Sequence, residues 1–310
     1  MFVGHVSIDH VANPRGVKVQ AGGAALYAAL AAKTLLNKVT LVSAIGNDYP
    51  FMDTLNLLTP YHVRTFSIPS TEFHIKYSKL GEAEYLKSTY GAGAKITASA
   101  IPTQLLTSET IVHISPMQPS KVSKIVQKIR KASPKTRIAI NTWVEYIKTS
   151  QRNRKILTNL ALDADFFILN DHEAKALTET SSISTALTRL NAKLLIITLG
   201  ELGAIIRGGN GAIQMVPALS RPSRHVVDTT GAGDVWCGAF VAAYKLTEDL
   251  MKAITIASIL SSLKCSGWNF QKLINLRFRT PDDVIEYVIG LKEGALQKRL
   301  PDYTRPTERN

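Results

Sequence analysis

One short stretch, residues 225–241, carries the residue types best suited to chemistry, and it reads HVVDTTGAGDVWCGAFV. A β-branched run leads into Gly231, Ala232 and Gly233, and an apolar helical pattern follows. Small residues let the backbone come close to an anion, and the first N–H groups of a helix have no partner within it. Residues 231–233 are therefore predicted to bind a phosphate group.

Asp234 comes directly after this predicted phosphate site. A carboxylate would repel phosphate, so binding alone does not account for it. It is accounted for if it accepts the proton of a hydroxyl that attacks a phosphoryl group. A glycine turn before a buried helix would explain the glycines but not Asp228, Thr229 and Asp234 together. We therefore predict that Asp234 is a catalytic base and that residues 231–233 stabilise the charge on the phosphoryl group.

The elements that must position these residues follow an alternating pattern. Strands are predicted at 2–8, 39–45, 110–115, 136–141, 165–169 and 193–198, and helices at 24–36, 119–132, 152–162 and 172–190, the last with a break near Ser181. Such alternation is typical of βαβ units around a mainly parallel sheet. A second hairpin is predicted at 204–216, helix at 231–264, and a final helix with Thr280 as its N-cap.

Two segments interrupt the alternation. Residues 16–20 are predicted as an extra strand, and residues 63–90 as strands without a helix between them. Phe73, Ile75 and Tyr77 would point to one side and His74 to the other, as in a half-exposed sheet. We predict a small β lid from about residues 12–20 and 61–92 over a cleft, on a single domain of residues 1–297 with a polar tail at 298–310. An edge hairpin without a function is the alternative.

The motif DTTGAGD at residues 228–234, followed by a helix of small residues, resembles the second signature of the ribokinase-like (PfkB) carbohydrate kinase family. The resemblance extends over roughly residues 1–290. It implies a doubly wound α/β fold with helices on both faces of a mostly parallel sheet and a small β-sheet lid. It also implies an ATP-dependent kinase that phosphorylates a hydroxyl of a small polyhydroxylated substrate, with Mg²⁺ as the metal.

The same resemblance suggests roles for other residues. Asn170 and Glu173 would lie near Mg²⁺ and the phosphates through water, as suits a hydrated Mg²⁺, although such a pair could simply cap a helix. The predicted nucleotide-binding residues are Asn170, Glu173, Thr198, Gly200, Gly203 and Thr229. The predicted acceptor-binding residues are Asp9, Gly22, Gly23 and Tyr27. Asp9 could instead be an exposed turn residue.

The sequence also departs from the family pattern. The asparagine expected after the glycine pair is missing from residues 24–27, where Tyr27 could offer a hydroxyl or an aromatic wall. Of an expected Asp-x-Asn after a middle strand, only Asn141 remains. No lid arginine is identifiable, and Lys76 and Lys87 could either offer charge to the phosphate or lie in solvent.

The composition and charge of the sequence argue against several other classes of protein. The hydrophobic share of 45% allows a full core, and no apolar run is long enough for a membrane span. The histidine spacing gives no zinc motif, and Cys237 and Cys265 are expected to be reduced thiols in a cytoplasmic protein. The net charge of +13 raises nucleic acid as a partner, but no binding motif accompanies it.

Several alternatives stay open at this stage. A nucleoside or myo-inositol could be the acceptor, and a catalytically silent binding protein is an alternative of another class. Retention of Asp234 argues against the silent binder, because a pure binder has no use for a base in an anion site. A homodimer through the lid is a further expectation from the resemblance.

Overall fold

The computed structural model describes residues 1–79, 81–218 and 226–297, with side chains described up to residue 290. The predicted tail, residues 298–310, lies outside the described residues. The described strands are β1 (Phe2–Val3), β2 (Ser7–Asn13), β3 (Gly16–Gly22), β4 (Leu41–Gly46), β5 (His62–Phe66), β6 (Thr71–Tyr77), β7 (Ala83–Thr89), β8 (Ile111–Ile114), β9 (Arg137–Asn141), β10 (Phe166–Asn170), β11 (Leu194–Thr198), β12 (Ala204–Gly208) and β13 (Ile213–Val216).

The helices occupy most of the intervals between these strands. They are α1 (Ala24–Lys33), α2 (Met52–Asn56), α3 (Pro119–Ala132), α4 (Val144–Lys148), α5 (Gln151–Asp163), α6 (Asp171–Leu177), α7 (Ile183–Arg189), α8 (Ala232–Thr247), α9 (Leu250–Cys265) and α10 (Pro281–Gln297). In the described part of the chain, no helix is both long and apolar enough to cross a membrane.

A nine-stranded sheet lies at the centre of the fold, in the order β13-β12-β11-β10-β9-β8-β1-β4-β5. Its strands run parallel from β11 to β5, and β12 and β13 add an antiparallel hairpin at one edge. One apolar cluster lies between the sheet and α1, α8 and α9, and a second between the sheet and α3, α5, α6 and α7. This is the doubly wound arrangement that the sequence predicts, with the central strands covered on both faces.

A separate four-stranded sheet has the order β3-β2-β6-β7. Side chains alternate along its strands, so Ser7, Asp9 and Val11 share a face with Thr71, Phe73 and Ile75, which are their partners in register. Phe73 and Ile75 line a cavity beneath this sheet. His10, His74, Lys76 and Lys87 belong to the opposite face. Lys76 and Lys87 therefore point away from the cavity.

Several predicted boundaries need correction. The first predicted strand, 2–8, is two strands, because the chain leaves the large sheet after Val3 and enters the small sheet at Ser7. Within the predicted lid segment 61–92, β5 belongs instead to the edge of the large sheet, where it pairs parallel with β4. The predicted helix 231–264 is two helices, separated by Glu248 in the left-handed region and by Asp249, which caps α9.

Other local predictions are confirmed. The hairpin at 204–216 is present as β12 and β13, and α3 has the predicted bounds, with Pro119 at its first turn. The break near Ser181 separates α6 from α7. Thr280 accepts from the Asp283 backbone N–H at 3.3 Å and donates its hydroxyl to the Asp283 carboxylate at 2.8 Å, as an N-cap does.

Candidate active site

A cavity of about 1020 Å³ opens between the small sheet and the carboxyl ends of the parallel strands. Asn141, Asn170 and Thr198 are the last residues of the neighbouring strands β9, β10 and β11, and all three line it. The edge where parallel strands end is where ligands bind in open α/β sheets. The predicted site residues that line the cavity are Asp9, Gly23, Tyr27, Asn170, Glu173, Thr198, Thr229, Gly231, Ala232, Gly233 and Asp234.

The loop before α8 brings glycine backbone to the wall of the cavity. Gly231 has a φ of 71°, in the left-handed region, and a Cβ there would lie 2.5 Å from the Tyr27 ring. Gly233 differs, because a Cβ on it would meet no atom within 4 Å and would extend into open space. The N-terminal turn of α8 thus presents its backbone to the cavity. The fold requires glycine at residue 231, and Gly233 leaves the space in front of the backbone N–H groups clear.

Asp234 lies in the first turn of α8 and is half-buried. Its carboxylate accepts a hydrogen bond from the Asn141 side-chain amide at 3.2 Å. Burial raises the pKa of Asp234 to about 6, and the hydrogen bond from Asn141 opposes part of that rise. A carboxylate with a pKa near neutrality can accept a proton more readily than an ordinary one.

Asp9 lies on β2 and is 2% exposed, so it is not the exposed turn residue of the alternative interpretation. The Ser7 hydroxyl donates to it at 2.6 Å. Burial raises its pKa to about 7, against the Ser7 hydrogen bond, and the negative charges of Asp228 and Asp234 add to the rise. Among the described residues this carboxylate has no cationic partner, and at the wall of a cavity it can accept from ligand hydroxyls.

Asn170 and Glu173 form a complete capping box at the start of α6. Asn170 accepts from the Glu173 N–H at 2.8 Å, and Glu173 accepts from the Asn170 N–H and from the Thr142 hydroxyl, each at 3.1 Å. Burial raises the pKa of Glu173 to about 8, despite these hydrogen bonds. Both residues cap the helix, as in the alternative interpretation of this pair, but both also line the cavity. The buried carboxylate fits a divalent cation held through water, which would stabilise its ionised form.

Three predicted glycines are not among the residues that line the cavity, and the structure gives each another role. A Cβ on Gly22 would lie 1.9 Å from the Asp9 carboxylate, so Gly22 provides room for that side chain. Gly203 has a φ of 112°, and a Cβ there would lie 2.0 Å from the Val216 carbonyl oxygen. Gly200 has a φ of 59° in the turn that follows β11.

Tyr27 occupies a place that the sequence did not predict. Its side chain is 1% exposed, its hydroxyl accepts from the Gln20 amide at 3.2 Å, and its ring packs 4.6 Å from the Phe270 ring. The ring also lies directly beneath Gly231, so it supports the loop before α8. Tyr27 borders the cavity, but most of the cavity's aromatic wall is formed by other residues.

That wall was missed by the sequence analysis. Trp143, from the loop after β9, packs against Tyr85 and Phe73 of the small sheet with ring centroids 4.9 and 6.1 Å apart. Tyr90 and Tyr146 continue the group, and all five rings line the cavity. The alternation of β6 placed Phe73 on one face, but nothing in the sequence placed Trp143 opposite it.

Lys264 was missed as well. It is fully buried near the end of α9, and its ammonium group donates to the Asp228 carbonyl oxygen at 2.8 Å and to the Asp228 carboxylate at 3.0 Å. A signal was present in the sequence. Lys264 follows Ala257 by seven residues and Leu260 by four, so it shares a helix face with apolar residues, where a lysine is unusual.

The raised carboxyl pKa values give a prediction for the pH dependence of turnover. If ionised Asp9, Asp234 and Glu173 are all needed, kcat/KM should fall on acidification with a midpoint between about pH 6 and 8. Ordinary carboxyl groups would place this fall near pH 4 instead. A pH series of initial rates at constant ionic strength measures it. Constant kcat/KM down to pH 5 would contradict the assignment.

The comparisons agree with this geometry. The sequence matches the model of the pfkB family carbohydrate kinases over residues 1–271. A cytidine kinase of Thermococcus kodakarensis is 28% identical over 263 residues, which cover 83% of this chain and 92% of that protein. A ribokinase of Lactococcus lactis is 37% identical over 109 residues, about a third of each chain.

Solved structures show the same fold. A ribokinase from Giardia lamblia superposes with a TM-score of 0.76 at 19% identity, covering 94% of this chain and 98% of that one. The nucleoside kinase of Methanocaldococcus jannaschii gives 0.70 at 23% identity, covering 92% and 96%. The fold is thus the ribokinase-like fold.

The chain belongs to the pfkB family of carbohydrate kinases. Members of this family use ATP and transfer phosphate to hydroxyl groups, and the chain is a kinase of this kind for a small sugar or nucleoside.

Proposed function

We propose that this kinase phosphorylates a nucleoside, with Mg-ATP as the donor and Asp234 as the base. The observation that carries the proposal is the combination in one cavity of a buried carboxylate suited to sugar hydroxyls, Asp9, with an unusually aromatic wall. The relatives support it, since a cytidine kinase and a nucleoside kinase of Methanothermobacter thermautotrophicus both match about four fifths of the chain.

The transfer step follows from the residues around α8. The acceptor hydroxyl gives its proton to the Asp234 carboxylate while its oxygen forms a bond to the terminal phosphorus of ATP. The bond from that phosphorus to the bridging oxygen breaks, and ADP leaves. Backbone N–H groups of residues 232–234 stabilise the charge on the moving phosphoryl group. Asn141 orients the Asp234 carboxylate through its amide.

Mg²⁺ is proposed as the metal, held through water by Glu173 and Asn170. When bound, it neutralises charge on the phosphates. The protein's own contribution is to keep Glu173 in place by its hydrogen bonds from Thr142 and the Asn170 backbone.

The aromatic wall distinguishes a nucleoside from a simple sugar. A flat base has two apolar faces that stack on aromatic rings, whereas a simple sugar leaves such a wall unused. Trp143 comes from the body of the enzyme and Tyr85 from the small sheet, and the two rings pack together into one apolar surface on which a base can stack. We place the base near these two rings and the sugar over Asp9.

His5 could recognise the polar edge of the base. It is 6% exposed, and its Nδ1 atom has no hydrogen-bond partner among the described residues. Burial lowers its pKa to about 4, and the charge of Lys121 adds to the effect, so the ring is neutral at pH 7. A neutral imidazole offers one donor and one acceptor. His5 also lines a side pocket of about 140 Å³ beside Tyr90 and Tyr146.

The experiment that tests the proposed function is an ADP-release assay with Mg-ATP across purine and pyrimidine nucleosides, ribose, fructose and myo-inositol. The highest kcat/KM should belong to a nucleoside. A simple sugar is the second candidate, favoured by the ribokinase match and by Asp9 with Gly22 and Gly23. Ribose as the best acceptor would overturn the nucleoside proposal and leave the kinase assignment intact.

Trp143→Ala should raise KM for the nucleoside by at least about 5-fold, because stacking on an aromatic side chain contributes about 1–3 kcal/mol per base. KM for ATP should remain close to that of the wild type. Tyr287→Ala, which removes a half-exposed ring on α10, is the matched control. Steady-state kinetics with each substrate varied in turn separate the two constants. Equal increases in both KM values would place Trp143 outside the acceptor site.

A homodimer through the small sheet is also proposed. The edge strand β3 exposes Val17 and Val19, at 75% and 53%, and β7 exposes Leu86, at 60%. An exposed edge with apolar side chains favours pairing with a second copy of the chain. Light scattering on the purified protein tests this, and a monomer at assay concentration would exclude it.

A further inference from the structure

The cation that neutralises Asp228 is part of the chain itself. The Asp228 and Lys264 side chains are both fully enclosed, and Lys264 Nζ contacts two oxygens of the same residue, its carboxylate and its carbonyl. Burial raises the pKa of Asp228, but the Lys264 ammonium and the Thr230 hydrogen bonds outweigh it, and the net pKa is lowered. The carboxylate is therefore ionised, and it depends on Lys264 for its neutralisation.

Asp228 in turn fixes the loop that leads to the catalytic helix. Its Oδ1 atom accepts from the Thr230 N–H at 2.9 Å, one residue before the left-handed Gly231. Its Oδ2 atom accepts from the Asn269 N–H at 3.1 Å and from the Gln20 amide at 3.3 Å. Three separate segments of the chain thus meet at one carboxylate.

Two further contacts connect the end of α9 to this loop. The Cys265 carbonyl oxygen accepts from the N–H groups of Val227 and Asp228, at 2.8 and 3.2 Å. The Ser261 hydroxyl donates to the Ala232 carbonyl oxygen at 2.8 Å. Lys264 Nζ also lies 5.5 Å from the centroid of the Tyr27 ring, the ring that supports Gly231 from below. Lys264 therefore contacts both supports of the anion site, Asp228 and Tyr27.

We propose that Lys264 is a positioning residue for phosphoryl transfer. Its ammonium group is a built-in cation, which holds residues 228–233 in the conformation that presents their N–H groups to the phosphate. This rests on the proposed role of residues 231–234 as the transfer centre. Lys264 touches neither substrate. The two Asp228 oxygens could otherwise bind a free monovalent cation, but both are already bound to Lys264. Turnover should therefore not depend on which monovalent cation the buffer contains.

The first test needs no variant. Wild-type turnover, with the best acceptor of the panel, is measured in sodium, potassium and choline chlorides at equal ionic strength. The three rates should agree within about twofold, since the site holds its own cation. A rate in choline many times lower than in potassium would overturn the proposal, because a free cation, and not Lys264, would then be neutralising Asp228.

The second test removes the ammonium. Lys264→Met keeps the apolar stem and should lower kcat by about 10²-fold, the scale on which a small displacement of a catalytic group acts. KM for the acceptor should change far less. Lys252→Met, on the same helix but in an exposed ion pair with Asp282, is the matched control and should retain wild-type kcat. In Lys264→Ala, added ammonium or methylammonium chloride should restore part of the lost kcat, whereas choline chloride should restore none.

A purely structural role would give a different pattern. A folded Lys264→Met enzyme with kcat within threefold of the wild type would overturn the proposal. If Lys264→Met does not fold, the double variant Asp228→Asn/Lys264→Met removes both charges together. A wild-type kcat in this double variant would also overturn the proposal. Failure of the proposed function is distinguishable, because it would appear in the wild type itself, either as preference for a simple sugar or as no turnover in the panel.

Discussion

Asp234→Asn should lower kcat by at least about 10²-fold, which is the usual contribution of a positioned acid or base. Affinity for ATP should be retained, because an amide of the same size occupies the same place. The Asn141 hydrogen bond can persist, since its amide still finds an oxygen to donate to. Rapid-quench kinetics and an ATP titration of the same protein separate the two effects.

The variant should also be more stable than the wild type at alkaline pH. The pKa of Asp234 in the fold is about 6, above its ordinary 3.8, so the folded state disfavours the ionised form. The cost is fully present above pH 6 and disappears as the pH falls from 6 towards 4. A higher Tm at pH 8 than the wild type, with a smaller gain at pH 5, is therefore expected.

Asp163→Asn, at the exposed end of α5, is the matched control and should change neither kcat nor Tm appreciably. Turnover of Asp234→Asn within a few-fold of the wild type would place the base elsewhere. Loss of ATP affinity together with kcat would instead indicate that the substitution disturbs the nucleotide site.

Gly233→Val should lower kcat by about 10²-fold or more, since it places a branched side chain where the phosphoryl group meets the backbone N–H groups, and removing one such donor already has that effect. Stability should change little, because the new Cβ meets no protein atom within 4 Å. Differential scanning calorimetry and ATP binding, measured on the same preparation, provide the two readouts.

Gly231→Val provides the contrast. There the residue must adopt a φ of 71°, and its Cβ would lie 2.5 Å from the Tyr27 ring, so the protein should be strongly destabilised. Wild-type ATP affinity and turnover in Gly233→Val would show that the first turn of α8 does not face the phosphates.

Much of the fold could be predicted from the sequence because it depends on local patterns. The apolar run at Ile111–Ile114 is a central strand covered on both faces, and Pro119 begins α3. The division of residues 2–8 between two sheets could not be predicted, since the whole run suits a strand and only tertiary packing decides where the chain leaves one sheet for the other.

The site was predictable where a motif fixes the residue and unpredictable where the contact crosses the fold. Residues 228–234 are contiguous, so the sequence alone places Asp234 directly after the glycines that line the cavity. Trp143 and Tyr85 are far apart in sequence and meet only because the small sheet lies over the end of β9. Tyr27 was expected to offer the acceptor a hydroxyl or an aromatic wall, but its burial beneath Gly231 depends on how α1 packs against α8.

Transfer of a phosphoryl group to a nucleoside hydroxyl, with Asp234 as the base, can be followed by identifying the product. The enzyme is incubated with Mg-ATP labelled in its terminal phosphate and with cytidine or the best nucleoside of the panel, and the products are resolved by mass spectrometry. We expect a labelled nucleoside monophosphate from the wild type and almost none from Asp234→Asn. Label found only in inorganic phosphate, or equal labelling by both proteins, would contradict it.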